Sequence, residues 1–412
     1  MTDFADLAQE VFDQCETLAQ FSQAEGMMDR RFLTKEHQQA NAQTAFWMEA
    51  AGMQTWQDEA GNQYGRFECS TPDAPTLLFG SHLDTVPNGG KYDGILGVLT
   101  PIALVKYLNQ TNQALPFHIE IVGFGDEEGT RFGITLIGSR AISGNWDDNW
   151  LLLQDANGVN LSQAMAEFGL DYTKIQQASR KSSNLLAFVE IHIEQGPVLE
   201  KENLPVGIVS SIAGAKRAII SLKGKAGHAG TVPMHLRQDA VVAFAHMAVA
   251  INDIAKKHGV VATVGYLENK PNAVNVIPSR TQFSLDIRSE YDALRDEALA
   301  EIESQLAVLA NEYQVELEWK QTHSASAVAC DPALKSMLES AVADTGTQPL
   351  TLFSGAGHDA MELANLCPMA MLFVRCKEGI SHHPDEAIQV GDVEASLHVL
   401  ARFIERFAEE NR

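Results

Sequence analysis

Four apolar runs constrain this chain more than any other feature, because each one ends in residues that can do chemistry. They are Thr76-Leu-Leu-Phe79 and residues 117–124, 186–193 and 368–374. Each reads as a buried strand, and helix-patterned segments lie between them. That alternation predicts an α/β fold whose sheet contains parallel segments. Sheets of this kind place their chemistry at the C-terminal ends of strands.

The first strand end delivers His82 and Asp84 onto a Gly-rich loop, followed by Asp93 and a helix from about Gly94. This pattern suits a divalent cation, with His82 as nitrogen ligand, Asp84 orienting it and Asp93 as oxygen ligand. The second strand end carries Glu127 and Glu128 side by side. Adjacent carboxylates do not readily bind one ion with the same geometry, but one can ligate while the other accepts a proton from water. His192 sits near the end of the third strand, and Ser381-His-His-Pro384 follows the fourth. Taken singly, a Glu pair is ordinarily a solvated loop and a histidine on an apolar strand a core residue. Taken together, two histidines and three carboxylates with one bridging aspartate fit two borderline cations roughly 3.5–4 Å apart.

Composition narrows the partners. The chain has 412 residues, enough for two domains, and a formal charge of -24. That charge argues against nucleic acid and anionic membranes. Five scattered cysteines, with no Cys-x-x-Cys, indicate reduced thiols in a cytoplasmic protein. The N-terminal stretch is acidic with apolar residues at helical spacing, which is no signal peptide. The longest apolar stretch, around residues 241–251, is too short to span a bilayer.

Amphipathic helices are predicted over residues 4–22 and 35–51, the first burying Leu7, Val11, Leu18 and Phe21. A turn at residues 58–62 separates two short strands. The middle of the chain changes character. Strands are predicted over 216–222, 260–267, 281–288 and 315–320, with helices over 237–258 and 291–313. That βαββαβ order is ferredoxin-like. The expected division is 1–212 and 328–412 as one domain, with 213–327 inserted. The Ser354-Gly-Ala-Gly-His358 loop offers backbone N–H groups for an anion at a helix N-terminus.

The motifs Gly80-Ser-His-Leu-Asp-Thr-Val-Pro87, Tyr92-Asp-Gly-Ile-Leu-Gly-Val98, Glu127-Glu-Gly-Thr-Arg-Phe132 and His192-Ile-Glu-Gln-Gly196 resemble one known family. So do Gly227-His-Ala-Gly230, Asn275-Val-Ile-Pro278, Asp286-Ile-Arg288, Ser354-Gly-Ala-Gly-His-Asp359 and Ser381-His-His-Pro384. The family comprises the binuclear N-carbamoyl-L-amino-acid hydrolases, allantoate amidohydrolases and β-ureidopropionases. It is a branch of the aminoacylase/carboxypeptidase metallohydrolases, and the resemblance spans nearly the whole chain. It implies a mixed-sheet, metallopeptidase-like catalytic domain with an inserted ferredoxin-like lid and dimerisation domain. It also implies two divalent ions per subunit, zinc first, with manganese, cobalt or nickel as the other borderline candidates.

Carried over residue by residue, the resemblance puts His82 and His192 on one metal and Glu128 and His382 on the other. Asp93 bridges them and Glu127 is the general base. The family's ligand is the histidine directly after Ser, hence His382 and not His383. Arg288 and Asn275 would hold a substrate carboxylate and His228 the developing oxyanion, with Gln195, Lys216 and Gly357 as further substrate contacts. The implied reaction is hydrolysis of a linear amide or ureido C–N bond, releasing ammonia, and CO₂ from a carbamoyl substrate. The implied assembly is a homodimer in which His228 reaches the neighbouring active site. Two other readings compete. A di-zinc aminopeptidase or carboxypeptidase shares the fold, but His192 in place of a carboxylate argues against it. A catalytically silent scaffold would lack the base, and Glu127 is present.

Overall fold

The computed structural model describes residues 3–412. The chain divides into two compact units. One runs up to Ser210 and resumes with Cys330–Leu352 and Ala356–Arg412, while the other holds Ser211–Ala329 and Phe353–Gly355.

Strands β1 (Gln54–Gln57), β2 (Gln63–Phe67), β3 (Thr76–His82), β4 (His118–Phe124), β5 (Leu185–Ile193) and β6 (Val206–Ile212) come first. The second unit contributes β7 (Gly214–Lys223), β8 (Gly227–His228), β9 (Val261–Thr263), β10 (Leu267–Lys270), β11 (Val276–Ile277), β12 (Arg280–Ser289) and β13 (Glu316–Ala325). The chain then passes through β14 (Val328–Ala329) and β15 (Thr351–Ser354) to β16 (Met369–Val374).

In the first unit the strands run in the order β1-β2-β4-β3-β5-β16-β6. Pairings of β3 with β4 and β5, and of β16 with β5, are parallel, whereas β1–β2, β2–β4 and β16–β6 are antiparallel. The sheet is therefore mixed. Strands β3, β4 and β16 are buried at every residue; β16 is accordingly apolar without alternation, whereas β4 also buries His118 and Glu120, the latter paired with Arg66 and Arg180. Register decides what those strands present. His82 pairs with Phe124 and Phe373 with His192, so the loops leaving these strands start at one edge of the sheet.

Behind that edge, helix Ile95–Thr111 is buried on almost every side. Helices Phe4–Leu18, Pro332–Asp344 and Val390–Glu410 pack in the same layer, sharing a core with Leu99, Val105, Phe117 and Phe403. The first helix ends at Leu18 rather than 22, because the Gln20 and Phe21 amides tighten to the Thr17 and Leu18 carbonyls, three residues back. Leu7, Val11 and Leu18 form its buried stripe, and Phe21 packs half-buried beyond its end. The turn at 58–62 forms on Asp58, whose carboxylate accepts from the Ala60 and Asn62 amides. All five cysteines are free thiols. Among the described residues no helix is long and apolar enough to cross a membrane.

The second unit is an antiparallel sheet ordered β10-β12-β7-β13, with β9 also on β12. Helices Ala240–His258 and Asp292–Glu312 cover one face, where Ile220, Phe283 and Leu285 meet Met247, Ile251, Ile302 and Leu306. This is the ferredoxin-like order. Two boundaries depart from the sequence reading. The first helix begins at Ala240 because the Asp239 carboxylate caps the Val241 and Val242 amides. The strand predicted over 260–267 is two pieces: Thr263 pairs with Asp286 but Leu267 with Phe283, so one extra residue bulges between them.

Candidate active site

The C-terminal edge of the first unit's sheet gathers His82, Asp93 and His192. His82 Nδ1 lies 2.9 Å from the Asp84 carbonyl oxygen, and His192 Nδ1 lies 2.9 Å from the Ile193 carbonyl oxygen. A carbonyl only accepts, so in each ring Nδ1 carries the proton and donates it. Nε2 of each ring is then the atom that ligates when the ring is neutral and donates when it is protonated. Both Nε2 atoms face Asp93 Oδ1, His192 at 3.1 Å and His82 at 3.7 Å. The His82 ring also packs onto the backbone of Gly94, where φ is +74° and a Cβ would overlap the imidazole. Only glycine serves there.

The other oxygen of Asp93 points to a second group. His382 Nε2 is 3.1 Å from Asp93 Oδ2 and 3.5 Å from Glu128 Oε1. His383 turns away, its Nδ1 accepting from the Asp385 amide. Glu127 faces the first group instead, with Oε2 4.0 Å from His82 Nε2. Asp84 behaves differently from its sequence reading. Its carboxylate accepts from the Glu127 and Glu128 amides, at 3.1 and 3.2 Å, and its backbone carbonyl is what holds the His82 ring. A single buried residue thus joins two of the loops.

Burial disfavours charge throughout this cluster, and neighbours decide what survives it. Burial opposes ionisation of Asp93, yet His192 and His382, each donating from 3.1 Å, and His82 beyond them hold it well below the usual carboxylate range. Burial pushes Glu127 well above its ordinary 4.5; Glu128, Asp359 and Asp84 add to the rise, against the pull of His82. Glu128 is pushed up to about 7, first by burial and then by Asp93. His382 is raised to about 9, chiefly by its hydrogen bond to Asp93.

Whether this donor set fits a pair of cations can be judged from the lone pairs. Two imidazole nitrogens with their protons committed elsewhere face one carboxylate oxygen, and a third imidazole and a carboxylate face the other. Such a convergence on one carboxylate needs positive charge, carried by protons on the rings or by cations between the donors. Mixed nitrogen and oxygen donors are what borderline divalent ions take. The residues fit.

Several supporting residues escaped the sequence reading. Glu190 is fully buried, accepting from Ser81 Oγ at 2.8 Å and from the Ala360 amide at 3.0 Å. It lies two residues before His192 on β5, hence on the same face, and that period-2 spacing was a usable signal. The His358 ring stands against His192, with centroids 4.5 Å apart. Asp359 accepts from Ser139 Oγ, and both carboxylate oxygens of buried Asp126 lack a hydrogen-bond partner. Gln195, at a left-handed φ of 55°, donates through Nε2 to Asp93 Oδ2 at 2.9 Å. Gly357 lies beside Glu127. The anion site expected at a helix N-terminus after His358 is not formed. Helix Ala360–Leu363 has four residues, and its leading amide is already taken by Glu190.

The remaining predicted contacts belong to the second unit. His228 and Asn275 share a ribbon in which His228 pairs with Val276 and the Ala229 amide donates to the Asn275 carbonyl. Both are exposed. Arg288 is held by Asp286 through Nε and Nη2, at 2.7 and 2.9 Å, and its Nη1 donates to the Gly355 carbonyl. Lys216 pairs with Ile287 and Arg288 with Ala215, so Lys216 and Arg288 project from opposite faces of the sheet. Lys216 lies on the helix-covered face, 2.8 Å from Asp296. The geometry does not bring Lys216 together with Arg288, because one residue of register reverses the face.

Comparison with known proteins follows this geometry. A family model described as peptidase family M20/M25/M40 matches residues 78–406. An N-carbamoyl-L-amino acid amidohydrolase of Geobacillus stearothermophilus is 40% identical over 388 residues, 94% of this chain and 95% of that protein. A probable allantoate deiminase of Oryza sativa subsp. japonica is 36% identical, across 95% of this chain and 87% of the relative. A hydantoinase/carbamoylase family amidase from Burkholderia multivorans superposes with a TM-score of 0.92 at 30% identity. That match covers 97% of this chain and 98% of the other.

Proposed function

This chain belongs to peptidase family M20/M25/M40, and from that premise we propose that it is a metal-dependent amidohydrolase cleaving the ureido C–N bond of an N-carbamoyl-L-amino acid. One observation carries the reading. Asp93 stands between two donor groups, His82 with His192 and Glu128 with His382, and Glu127 is placed beside the first. The 40% identical amidohydrolase supports the choice of substrate. Allantoate is the second reading, favoured by the 36% identical probable deiminase.

His82, Asp93 and His192 would hold one divalent ion, and Asp93, Glu128 and His382 the other. Bound there, the pair would polarise the substrate carbonyl and acidify a water molecule. Glu127 accepts that water's proton at its carboxylate and returns it to the leaving nitrogen, which balances the proton over the cycle. Burial pushes its pKa above the ordinary carboxylate value, which favours the protonated form that returns the proton. Arg288 and Asn275 bind the substrate carboxylate, and His228 donates to the oxyanion. Gln195 and Gly357 line the reacting side. An N-carbamoyl amino acid then yields amino acid, CO₂ and ammonia.

The test is steady-state kinetics on a carbamoyl α-amino acid, a carbamoyl β-amino acid, allantoate and a dipeptide. Each of zinc, manganese, cobalt and nickel is restored in turn to chelator-treated protein. The carbamoyl α-amino acid should give the highest kcat/KM. A preference for the dipeptide under every metal would sink the amidohydrolase reading.

A further inference from the structure

The loops carrying Asp93 and His382 come from distant parts of the chain and meet on one buried carboxylate. Glu386 is 4% exposed. Its Oε1 accepts from the Tyr92 amide at 2.9 Å and the Asp93 amide at 3.1 Å. Its Oε2 lies 3.0 Å from Ser381 Oγ, which in turn lies 2.9 Å from Asp93 Oδ2. The backbone of Gly90 rests on the same group, so close that a Cβ there would overlap the Glu386 carboxyl. His382, next to Ser381, has a left-handed φ of 55°. A residue with a side chain keeps that conformation only where its surroundings impose it.

We propose that Glu386 is a positioning residue that clamps the Asp93 loop to the His382 loop and so shapes the candidate cation position bounded by Asp93, Glu128 and His382. It touches neither substrate nor the reacting atoms. Two backbone amides fix the start of Asp93, and one hydroxyl fixes the residue before His382, so a single carboxylate sets the distance between two donors. The position bounded by His82 and His192 shares Asp93 but has further supports of its own, the Asp84 and Ile193 carbonyls, and so depends on the clamp less. The consequence for metal binding rests on the two-cation reading above; the clamp itself does not.

The two parts are separable by experiment. In metal-free protein, hydrogen exchange at the Tyr92 and Asp93 amides reports the clamp directly. Glu386→Ala should speed exchange at both by about tenfold or more, from loss of their acceptor. Glu386→Gln keeps an acceptor for both amides and a donor for Ser381, and should stay near wild type. Titration with zinc alone, against a competing chelator, reports the consequence. Glu386→Ala should weaken one of two bound ions by about 10–100-fold, the scale set by outer hydrogen-bond partners of metal ligands, and the other, which shares Asp93, by less. Gly90→Ala should do the same with the carboxylate intact, by displacing the loop. Unaltered exchange at Tyr92 and Asp93 in Glu386→Ala overturns the clamp. So does retention of both ions at wild-type affinity, or equal weakening of both. A wild-type chain that binds fewer than two zinc ions sinks the two-cation reading instead, and the exchange result still decides the clamp.

Discussion

Glu127 and Glu128 are neighbours in the chain yet face different histidines, His82 and His382. Their amides are both held by Asp84, so the backbone is fixed and only side-chain direction separates their roles. Glu127→Gln keeps size and packing while removing the proton acceptor. Its kcat should fall by about 10²–10⁴-fold, the usual contribution of a positioned base, with metal content unchanged. Loss of an ion, or activity near wild type, would remove Glu127 from that role. Residue identities at this scale were readable before the structure: a His-x-Asp loop, a Glu pair and a Ser-His-His stretch each name their chemistry. Partners were not readable. The Asp84 carboxylate holds two amides and leaves the His82 ring to the Asp84 carbonyl, and Arg288 is engaged by Asp286, because a side chain's hydrogen bonds depend on which groups lie beside it.

At the scale of elements, helix Lys35–Ala50 shows how a stripe that reads as merely amphipathic can be a pH-sensitive one. Its buried side includes His37, Asn41 and Thr44 as well as Ala40 and Met48. His37 is fully buried; its Nδ1 accepts from the Leu33 amide and Nε2 has no hydrogen-bond partner. Burial, and then Arg30 and Arg131, depress its pKa from 6.5 to about 3. The unfolded chain therefore takes up a proton below 6.5 that the folded chain refuses. Stability from this group is fully present above pH 6.5 and is lost as pH falls toward 3. The slope is about 1.4 kcal/mol per pH unit, so about 2 kcal/mol goes between pH 6.5 and pH 5. Urea unfolding at several pH values, on wild type and His37→Gln, isolates the term. The variant's stability should fall with acid by about one proton less, and parallel slopes would show that His37 titrates normally. Helix Lys35–Ala50 itself was legible from its spacing, as were the β-strands from their apolar runs. The bulge between β9 and β10 was not, since it arises from the register of β12 against its two partners.

At the scale of the molecule, the homodimer that the family resemblance implies makes its own prediction. Glu127→Gln and His228→Ala should each be inactive alone. Mixed under conditions that exchange subunits, they should recover activity if His228 of one subunit completes the active site of its partner, since one site then has both intact halves. Confirmed exchange with no recovered activity would place His228 in cis or outside the reaction. By itself the sequence determined the α/β class, the ferredoxin-like order of residues 213–327 and the residue types of the site. Those depend on hydrophobic period, turn residues and functional-group chemistry, all of which are local in the chain. The resemblance already implied a bridging Asp93 and His382 in preference to His383; tertiary structure alone decided the distances between those donors and that Lys216 and Arg288 lie on opposite faces. These outcomes follow from strand register and from contacts such as Glu386 to Tyr92 and Asp93, made between segments far apart in sequence. No local pattern encodes a distance of that kind; it exists only once the sheet has aligned its strands and the loops have closed on the residues between them.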